Sequence, residues 1–168
     1  MEPGLVEKAH AFAAKAHAGV FRRWSGEPYI EHAERVAACV AAVGAPAEVV
    51  AAALLHDVIE DCEVSAAELA AAFGPTVAAL VVEVTNPNIP KEPGNRRFRK
   101  AAEKAHLAGA SYWGATIKLA DMLDNSSNVA EHDPLFAARY LPEMAERAKL
   151  VSHGHPELVA KLIAQLAK

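Results

Sequence analysis

The chain is patterned for helices almost throughout its length. Residues 5–18 place apolar side chains at intervals of three and four, and the same spacing returns in residues 29–43. Alanine is frequent and runs of β-branched residues are short, which favours helix over strand. The pattern predicts nine helices, at about residues 5–18, 29–43, 46–61, 65–73, 75–85, 95–107, 111–128, 134–151 and 156–168.

Glycine, proline and capping residues mark the ends of these helices. Gly19 follows the first apolar stretch, and Ser65 with Glu68 forms a capping box. Residues 86–95 are rich in asparagine, proline and glycine, which predicts a loop. Because no repeat or low-complexity linker divides the chain, we predict one all-α domain over residues 1–168, a bundle of about eight to ten helices.

Composition narrows the classes of function. The 168 residues include 17 Lys and Arg against 21 Asp and Glu, a formal net charge of −4. That balance argues against a general nucleic-acid binder, which needs a cationic face for phosphates. Charged residues or histidine interrupt every apolar run before the roughly 20 residues that cross a bilayer, so we expect no membrane span. With only Cys39 and Cys62 and no signal peptide at Met1, we expect a cytoplasmic protein.

Candidate chemistry is concentrated where the third predicted helix ends. Residues 54–61 run from two leucines into His56-Asp57 and then, after two apolar residues, into Glu60-Asp61. Neighbouring residues on a helix are about 100° apart, so His56 and Asp57 can reach one point beside it. Glu60 and Asp61 each lie one turn further along the same side. A metal ion bound by the His-Asp pair would therefore have two carboxylates near its water.

Two residues elsewhere in the chain supply the same types of donor. His32 lies on the second predicted helix. Asp121 lies on the seventh, flanked by the apolar residues Leu119, Ala120 and Leu123. A carboxylate in apolar surroundings is costly unless it is paired or binds a metal. Two imidazoles and two carboxylates suit a divalent ion such as Mn²⁺, Fe²⁺ or Zn²⁺. Four protein ligands would leave an octahedral ion with two positions for water and substrate.

The order His32, His56-Asp57, Asp121 resembles the HD phosphohydrolase superfamily. The surrounding sequences are more specific, and they resemble the hydrolase domain of RelA/SpoT-type proteins. They read HAGVFR at 17–22, SGEPYIEH at 25–32, ALLHDVIED at 53–61 and KLADMLDN at 118–125. The resemblance covers about residues 5–150, and without a synthetase or regulatory domain the chain looks like a stand-alone small alarmone (ppGpp) hydrolase.

The resemblance implies a metal centre and a reaction. In such hydrolases two histidines and two aspartates bind Mn²⁺, a role that would fall to His32, His56, Asp57 and Asp121. The reaction removes the 3′-pyrophosphate from guanosine 3′,5′-bis(diphosphate) or its pentaphosphate form, giving GDP or GTP. A small nucleotide is therefore the expected partner.

The resemblance also implies roles for residues around the ion. The pair that activates the attacking water would be Glu60 and Asp61, because it follows the His-Asp motif. Cations would offset the charge of the phosphates, and polar or aromatic side chains would contact the nucleotide. The expected substrate-binding residues are Arg22, Arg23, Lys118, Asn125 and Tyr140.

Several positions depart from the family pattern and leave two alternatives open. Trp24 occupies a position that is usually small or polar, residues 86–88 replace residues that are often acidic, and residues 126–127 are both serine. These positions lie where substrate would be recognised. The first alternative is an HD phosphatase acting on another nucleotide, such as the 2′-phosphate of NADPH or a nucleoside monophosphate. The second is a nucleotide-binding module without catalysis, which the intact donor set argues against.

Overall fold

The computed structural model describes residues 4–167. Within that range the chain forms eleven helices, and none of them is both long and apolar enough to cross a bilayer. The all-α prediction is confirmed. The helices are α1 (Leu5–Ala16), α2 (Tyr29–Ala42), α3 (Ala47–Leu54), α4 (Val58–Asp61), α5 (Ala66–Phe73), α6 (Pro75–Val84), α7 (Arg96–Ala108), α8 (Tyr112–Ser126), α9 (Val129–His132), α10 (Pro134–Leu150) and α11 (Pro156–Leu166).

Helices α3 and α8 form the centre of the bundle. Every residue of α3 from Val49 to Leu54 is buried, and this helix packs against α1, α2 and α6. Every residue of α8 from Gly114 to Met122 is buried, and this helix packs against α2, α6 and α11. Removal of this apolar surface from water is the main source of stability. A polar side chain on α8 therefore needs a specific partner.

The predicted helix over residues 46–61 is wrong in one respect, because the structure divides it into two. α3 ends at Leu54 and α4 begins at Val58, so the His-Asp pair lies in a turn between two helices. Sequence spacing also missed α9, whose four residues are too few to show a helical period. The outcome matters for the site, since a turn directs side chains differently from a straight helix.

A side-chain hydrogen bond accompanies the end of α3. His56 Nδ1 lies 2.7 Å from the carbonyl oxygen of Ala53. In a continued helix that carbonyl would accept from the backbone N–H of Asp57. The N–H of Val58 instead donates to the carbonyl of Leu55 at 3.1 Å, which is the spacing of a tighter turn. The His56 side chain thus competes with the backbone N–H of Asp57 for the carbonyl oxygen of Ala53.

The turn between α10 and α11 supports α8 from the far side. A Cβ atom on Gly154 would lie 3.0 Å from backbone atoms of Ala115 and Thr116 and 2.7 Å from Leu119 Cδ1, so a larger residue would push this turn away from α8. The backbone N–H of His155 donates to Thr116 Oγ1 at 3.0 Å. Helix α8, which carries one of the candidate metal ligands, is therefore fixed on both of its sides.

Candidate metal centre

Four side chains from three parts of the fold point toward one position. His32 extends from α2, His56 and Asp57 from the turn after α3, and Asp121 from α8. His32 Nε2 lies 3.3 Å from His56 Nε2 and 3.4 Å from Asp121 Oδ1. Asp57 Oδ2 lies 2.9 Å from His56 Nε2 and 3.7 Å from His32 Nε2. The structure thus brings together all four residues that the sequence suggested as metal ligands.

The spacing and chemistry of these donors fit a divalent ion. A metal bond to nitrogen or oxygen is about 2.1 Å long, so ligands at right angles lie about 3 Å apart. Donor atoms of His32, His56 and Asp57 all lie within 4.8 Å of one another. Each histidine directs Nε2 at the other donors, because Nδ1 has another partner, the Ala53 carbonyl for His56 and the Asp124 carboxylate for His32.

The site holds its carboxylates as anions despite their burial. Burial disfavours the charged form of all four donors, but their mutual interactions are stronger. Hydrogen bonds to carboxylates raise the pKa of His32 to about 9, and the Asp57 charge with bonds to Asp121 raises the pKa of His56 to about 10. Against burial, His56 lowers the pKa of Asp57, and Lys118 lowers the pKa of Asp121 well below its usual range.

Asp121 is held by two neighbours on its own helix. Lys118 Nζ donates to Asp121 Oδ2 at 2.9 Å, and Asn125 Nδ2 donates to Asp121 Oδ1 at 2.6 Å. Arg22 Nη2 in turn donates to Asn125 Oδ1 at 2.9 Å. Three of the residues expected to contact substrate are therefore connected to a candidate metal ligand, and Lys118 is buried.

Asp57 is held from the other side by an aromatic pair. Tyr29 Oη donates to Asp57 Oδ2 at 2.5 Å. The ring of Tyr29 stacks on the buried ring of His17, with 4.6 Å between their centres. His17 Nδ1 lies 3.2 Å from Cys62 Sγ. Sequence reasoning assigned no role to Tyr29, although it belongs to the segment that ends in His32.

Charged side chains surround the Nδ1 side of His32, and the sequence analysis assigned them no role. Asp124 Oδ2 lies 2.6 Å from His32 Nδ1, and Arg35 Nε donates to Asp124 Oδ1 at 2.5 Å. Arg35 also pairs with Glu27 in the loop before α2. The available signal was spacing, because Asp124 lies one turn after Asp121 and Arg35 one turn after His32.

A cavity of about 330 Å³ opens beside the donors. Glu60 and Asp61 line it, together with the donors Asp57 and Asp121. Asn86, in the loop that follows α6, donates through Nδ2 to both carboxylate oxygens of Glu60, at 3.2 and 3.3 Å. Burial, followed by the charges of Asp57 and Glu60, raises the pKa of Asp61. The cavity therefore has proton-accepting groups next to the donor cluster.

A second cavity, of about 230 Å³, adjoins the first and is lined by rings and arginines. Tyr140 and Asn125 line both cavities. The ring of Phe136 stacks on Tyr140 at 5.0 Å and lies 5.5 Å from the ring of Trp24. The guanidinium of Arg23 lies over Trp24, 4.5 Å from the ring centre. This arrangement can hold a flat aromatic group beside the donor cavity.

Comparison with known proteins points in the same direction. A family model described as HD domain matches residues 9–140. A Mycoplasma pneumoniae protein named probable guanosine-3′,5′-bis(diphosphate) 3′-pyrophosphohydrolase is 32% identical over an alignment covering 96% of this chain and 22% of that protein. A Vibrio cholerae guanosine-3′,5′-bis(diphosphate) 3′-pyrophosphohydrolase is 47% identical over 45% of this chain and 11% of its own. The chain thus spans about a fifth or less of these relatives.

One solved structure is similar over almost the whole chain. It is described as a metazoan ortholog of SpoT that hydrolyzes ppGpp and plays a role in starvation responses. Its TM-score is 0.87 at 27% sequence identity, with 99% of this chain and 97% of that chain covered. A Listeria monocytogenes structure, lmo0812, matches with a TM-score of 0.64 at 25% identity, covering 84% and 94% of the two chains.

Proposed function

This chain belongs to the HD-domain family, and from that premise we propose that it is a guanosine 3′,5′-bis(diphosphate) 3′-pyrophosphohydrolase. Water would attack the 3′-pyrophosphate and release pyrophosphate with GDP, or with GTP from the pentaphosphate. The observation that carries the proposal is the convergence of two imidazoles and two carboxylates beside a cavity lined by further carboxylates. The named activity of the similar proteins supports the choice of substrate.

The ion in this proposal is Mn²⁺, with Fe²⁺ or Zn²⁺ also suited to the donor set. His32, His56, Asp57 and Asp121 would hold it. When bound, the ion supplies the Lewis acidity that makes water nucleophilic near neutral pH. Both histidines direct Nε2 at the other donors and both aspartates are held as anions, so the side chains are already placed for binding. Because the pKa values of His32 and His56 are raised, binding would release a proton from each ring.

Glu60 and Asp61 are the proposed proton acceptors. Both line the donor cavity, and Asp61 has a raised pKa, which makes its carboxylate a stronger base than an ordinary aspartate. Asn86 orients Glu60 through both of its carboxylate oxygens. A positioned carboxylate that takes the proton of the attacking water typically contributes about 10²- to 10⁴-fold to the rate.

The charge of the substrate is met by cations around the two cavities. Arg22 and Arg23 line the aromatic cavity, while Lys118 and Arg147 line the donor cavity. We place the pyrophosphate in the donor cavity and the base in the aromatic cavity. Asn125 would lie between them, since it lines both. Fixed cations stabilise the charge that develops on a leaving pyrophosphate.

A direct assay tests the proposal. Purified protein is incubated with Mn²⁺ and guanosine tetraphosphate, and the products are separated and identified. We expect GDP and pyrophosphate in equal amounts, with no product after chelation of the metal. Metal binding without any turnover of this nucleotide would reject the substrate.

A second candidate keeps the chemistry and changes the nucleotide. It is favoured by Trp24, which with Phe136 extends the aromatic surface of the base cavity. Such a surface also suits the base of NADPH or of a nucleoside monophosphate. A panel of phosphorylated nucleotides ranked by kcat/KM distinguishes the two, because the preferred substrate has the highest value.

A cytoplasmic site of action is part of the proposal. Neither Cys39 nor Cys62 forms a disulfide bond. Free thiols persist in the cytoplasm, whereas oxidising compartments favour disulfides. This agrees with a reaction on a nucleotide of the cell interior.

A further inference from the structure

We propose that Asp124, fixed by Arg35, is a positioning residue that sets the metal affinity of the centre through His32. The inference rests on the metal centre of the proposed function and assigns a role to two residues outside its ligands. Neither side chain contacts the donor atoms of Asp57 or Asp121 in the residues described. Asp124 contacts only His32 among the four candidate ligands, at the ring nitrogen that faces away from the other donors, and Arg35 acts through Asp124.

The contact between Asp124 and His32 determines which ring nitrogen faces the ion. Asp124 Oδ2 lies 2.6 Å from His32 Nδ1, and an ionised carboxylate can only accept a hydrogen bond. When the ring is neutral, its proton therefore stays on Nδ1, and the lone pair of Nε2 is then directed at the other donors. Because His32 is completely buried, water does not compete for Nδ1. The carboxylate also raises the basicity of the ring as a ligand.

Arg35 fixes the carboxylate in that position. Its Nε donates to Asp124 Oδ1 at 2.5 Å and its Nη2 to Asp124 Oδ2 at 3.2 Å, a two-point contact that sets the plane of the carboxylate. Glu27 pairs with the same guanidinium from the opposite direction. The Arg22 guanidinium lies 3.6 Å from Asp124 Oδ2 and adds a second positive charge. Asp124 is thus prevented from turning toward the ion.

The two candidate histidine ligands differ in what stands behind them. His56 Nδ1 faces a neutral backbone carbonyl, that of Ala53, whereas His32 Nδ1 faces a charged side chain. A backbone carbonyl cannot be removed by substitution, but the carboxylate can. Removal of such a carboxylate typically weakens metal binding by about 10- to 100-fold. Of the two histidines, His32 is therefore the one whose strength as a ligand depends on another side chain.

The experiment measures metal affinity directly. The dissociation constant for Mn²⁺ is determined by competition with a chelator for the parent, Asp124→Asn and Arg35→Gln. We expect a loss of about 10- to 100-fold for Asp124→Asn, because an amide carries no charge, and a smaller loss for Arg35→Gln. Glu34→Gln is the matched control, since it removes one charge from α2 where the partner is His10. It should leave Mn²⁺ affinity within about twofold of the parent.

A second measurement separates positioning from folding. The absorption spectrum of the Co²⁺-loaded protein reports the ligand field, and we expect Asp124→Asn to shift it while thermal unfolding of the metal-free variant stays cooperative. Equal Mn²⁺ affinities for Asp124→Asn and the parent would overturn the role of Asp124 and leave the proposed function standing. A parent that binds no divalent ion would instead overturn the metal centre on which both proposals rest.

Discussion

The donor cluster and the aromatic cavity are held in contrasting ways. The donors His32, His56 and Asp121 are at most 7% exposed, and each has a fixed partner behind it. The rings and arginines of the aromatic cavity lie partly on the loop before α2, where Arg23 is exposed and Trp24 half-buried. Under the proposed function, the chemistry would lie in the packed interior, whereas nucleotide recognition would lie on a loop where substitution costs little stability.

The contrast has an electrostatic cause. A buried charge without a partner is costly, so every ionised group of the donor cluster must be matched by another. A change at one donor therefore affects its neighbours, as the connected contacts of Arg22, Asn125 and Asp121 illustrate. Charged side chains at the edge of the aromatic cavity are solvated, so one of them can be substituted without affecting the others. Variants of the two regions should consequently fail in different ways.

Removal of a donor is the largest effect expected. Asp57→Ala deletes a carboxylate 2.9 Å from His56 Nε2 and removes the acceptor of the hydrogen bond that the Tyr29 hydroxyl donates. We expect Mn²⁺ binding and pyrophosphate release to fall to background together, measured by calorimetry and by product separation. Glu48→Ala, at the exposed start of α3, is the control and should retain both. Full activity in Asp57→Ala would contradict the assignment of the metal ligands.

Removal of one of the two proposed bases should separate metal binding from chemistry. Glu60→Gln keeps the side-chain shape near Asn86 but cannot accept a proton as a carboxylate does. We expect Mn²⁺ affinity to stay close to that of the parent while kcat falls by about 10²-fold or more. Asp61→Asn, assayed in parallel, shows which of the two carboxylates carries the larger share. A Glu60→Gln enzyme as fast as the parent would show that this carboxylate is not the base.

Shortening the aromatic surface should affect recognition and leave the chemistry intact. Trp24→Ala removes the ring that lies 5.5 Å from Phe136. Stacking of a base on an aromatic ring is worth about 1–3 kcal/mol, so KM should rise by about 5- to 150-fold with little change in kcat. Trp24→Phe should restore most of the loss. An unchanged KM for the nucleotide would show that the nucleobase does not bind in this cavity.

The smallest effect is expected at the edge of the donor cavity. Asn86→Ala removes the amide that orients Glu60, a contact of 3.2 and 3.3 Å. One such hydrogen bond is worth about 0.5–1.5 kcal/mol, so kcat should fall by about 2- to 10-fold at unchanged Mn²⁺ affinity. Asn88→Ala, two residues along the same loop, is the control. If both variants lose activity equally, the loop acts as a whole and the amide has no separate role.

Most of the fold could be predicted from local patterns. Helical periodicity and the capping box at Ser65 placed nine helices, and Ser65 Oγ does accept from the N–H of Glu68 at 3.2 Å. The exceptions arose where a side chain outcompetes the backbone, as His56 does at Ala53, or where a helix is as short as α9. Periodicity in a window of residues does not register either effect.

The sequence by itself determined the helical class and which residues carry donor chemistry, because periodicity and ligand type are properties of short segments. Only the tertiary structure decided which side chain stands behind His32 and which one reaches Asn125. Asp124 meets His32 across 92 positions of sequence, and Arg22 meets Asn125 across 103. Contacts at such separations depend on how α2 and α8 pack and on the rotation of each helix. Those quantities follow from the whole core and from no single motif within it.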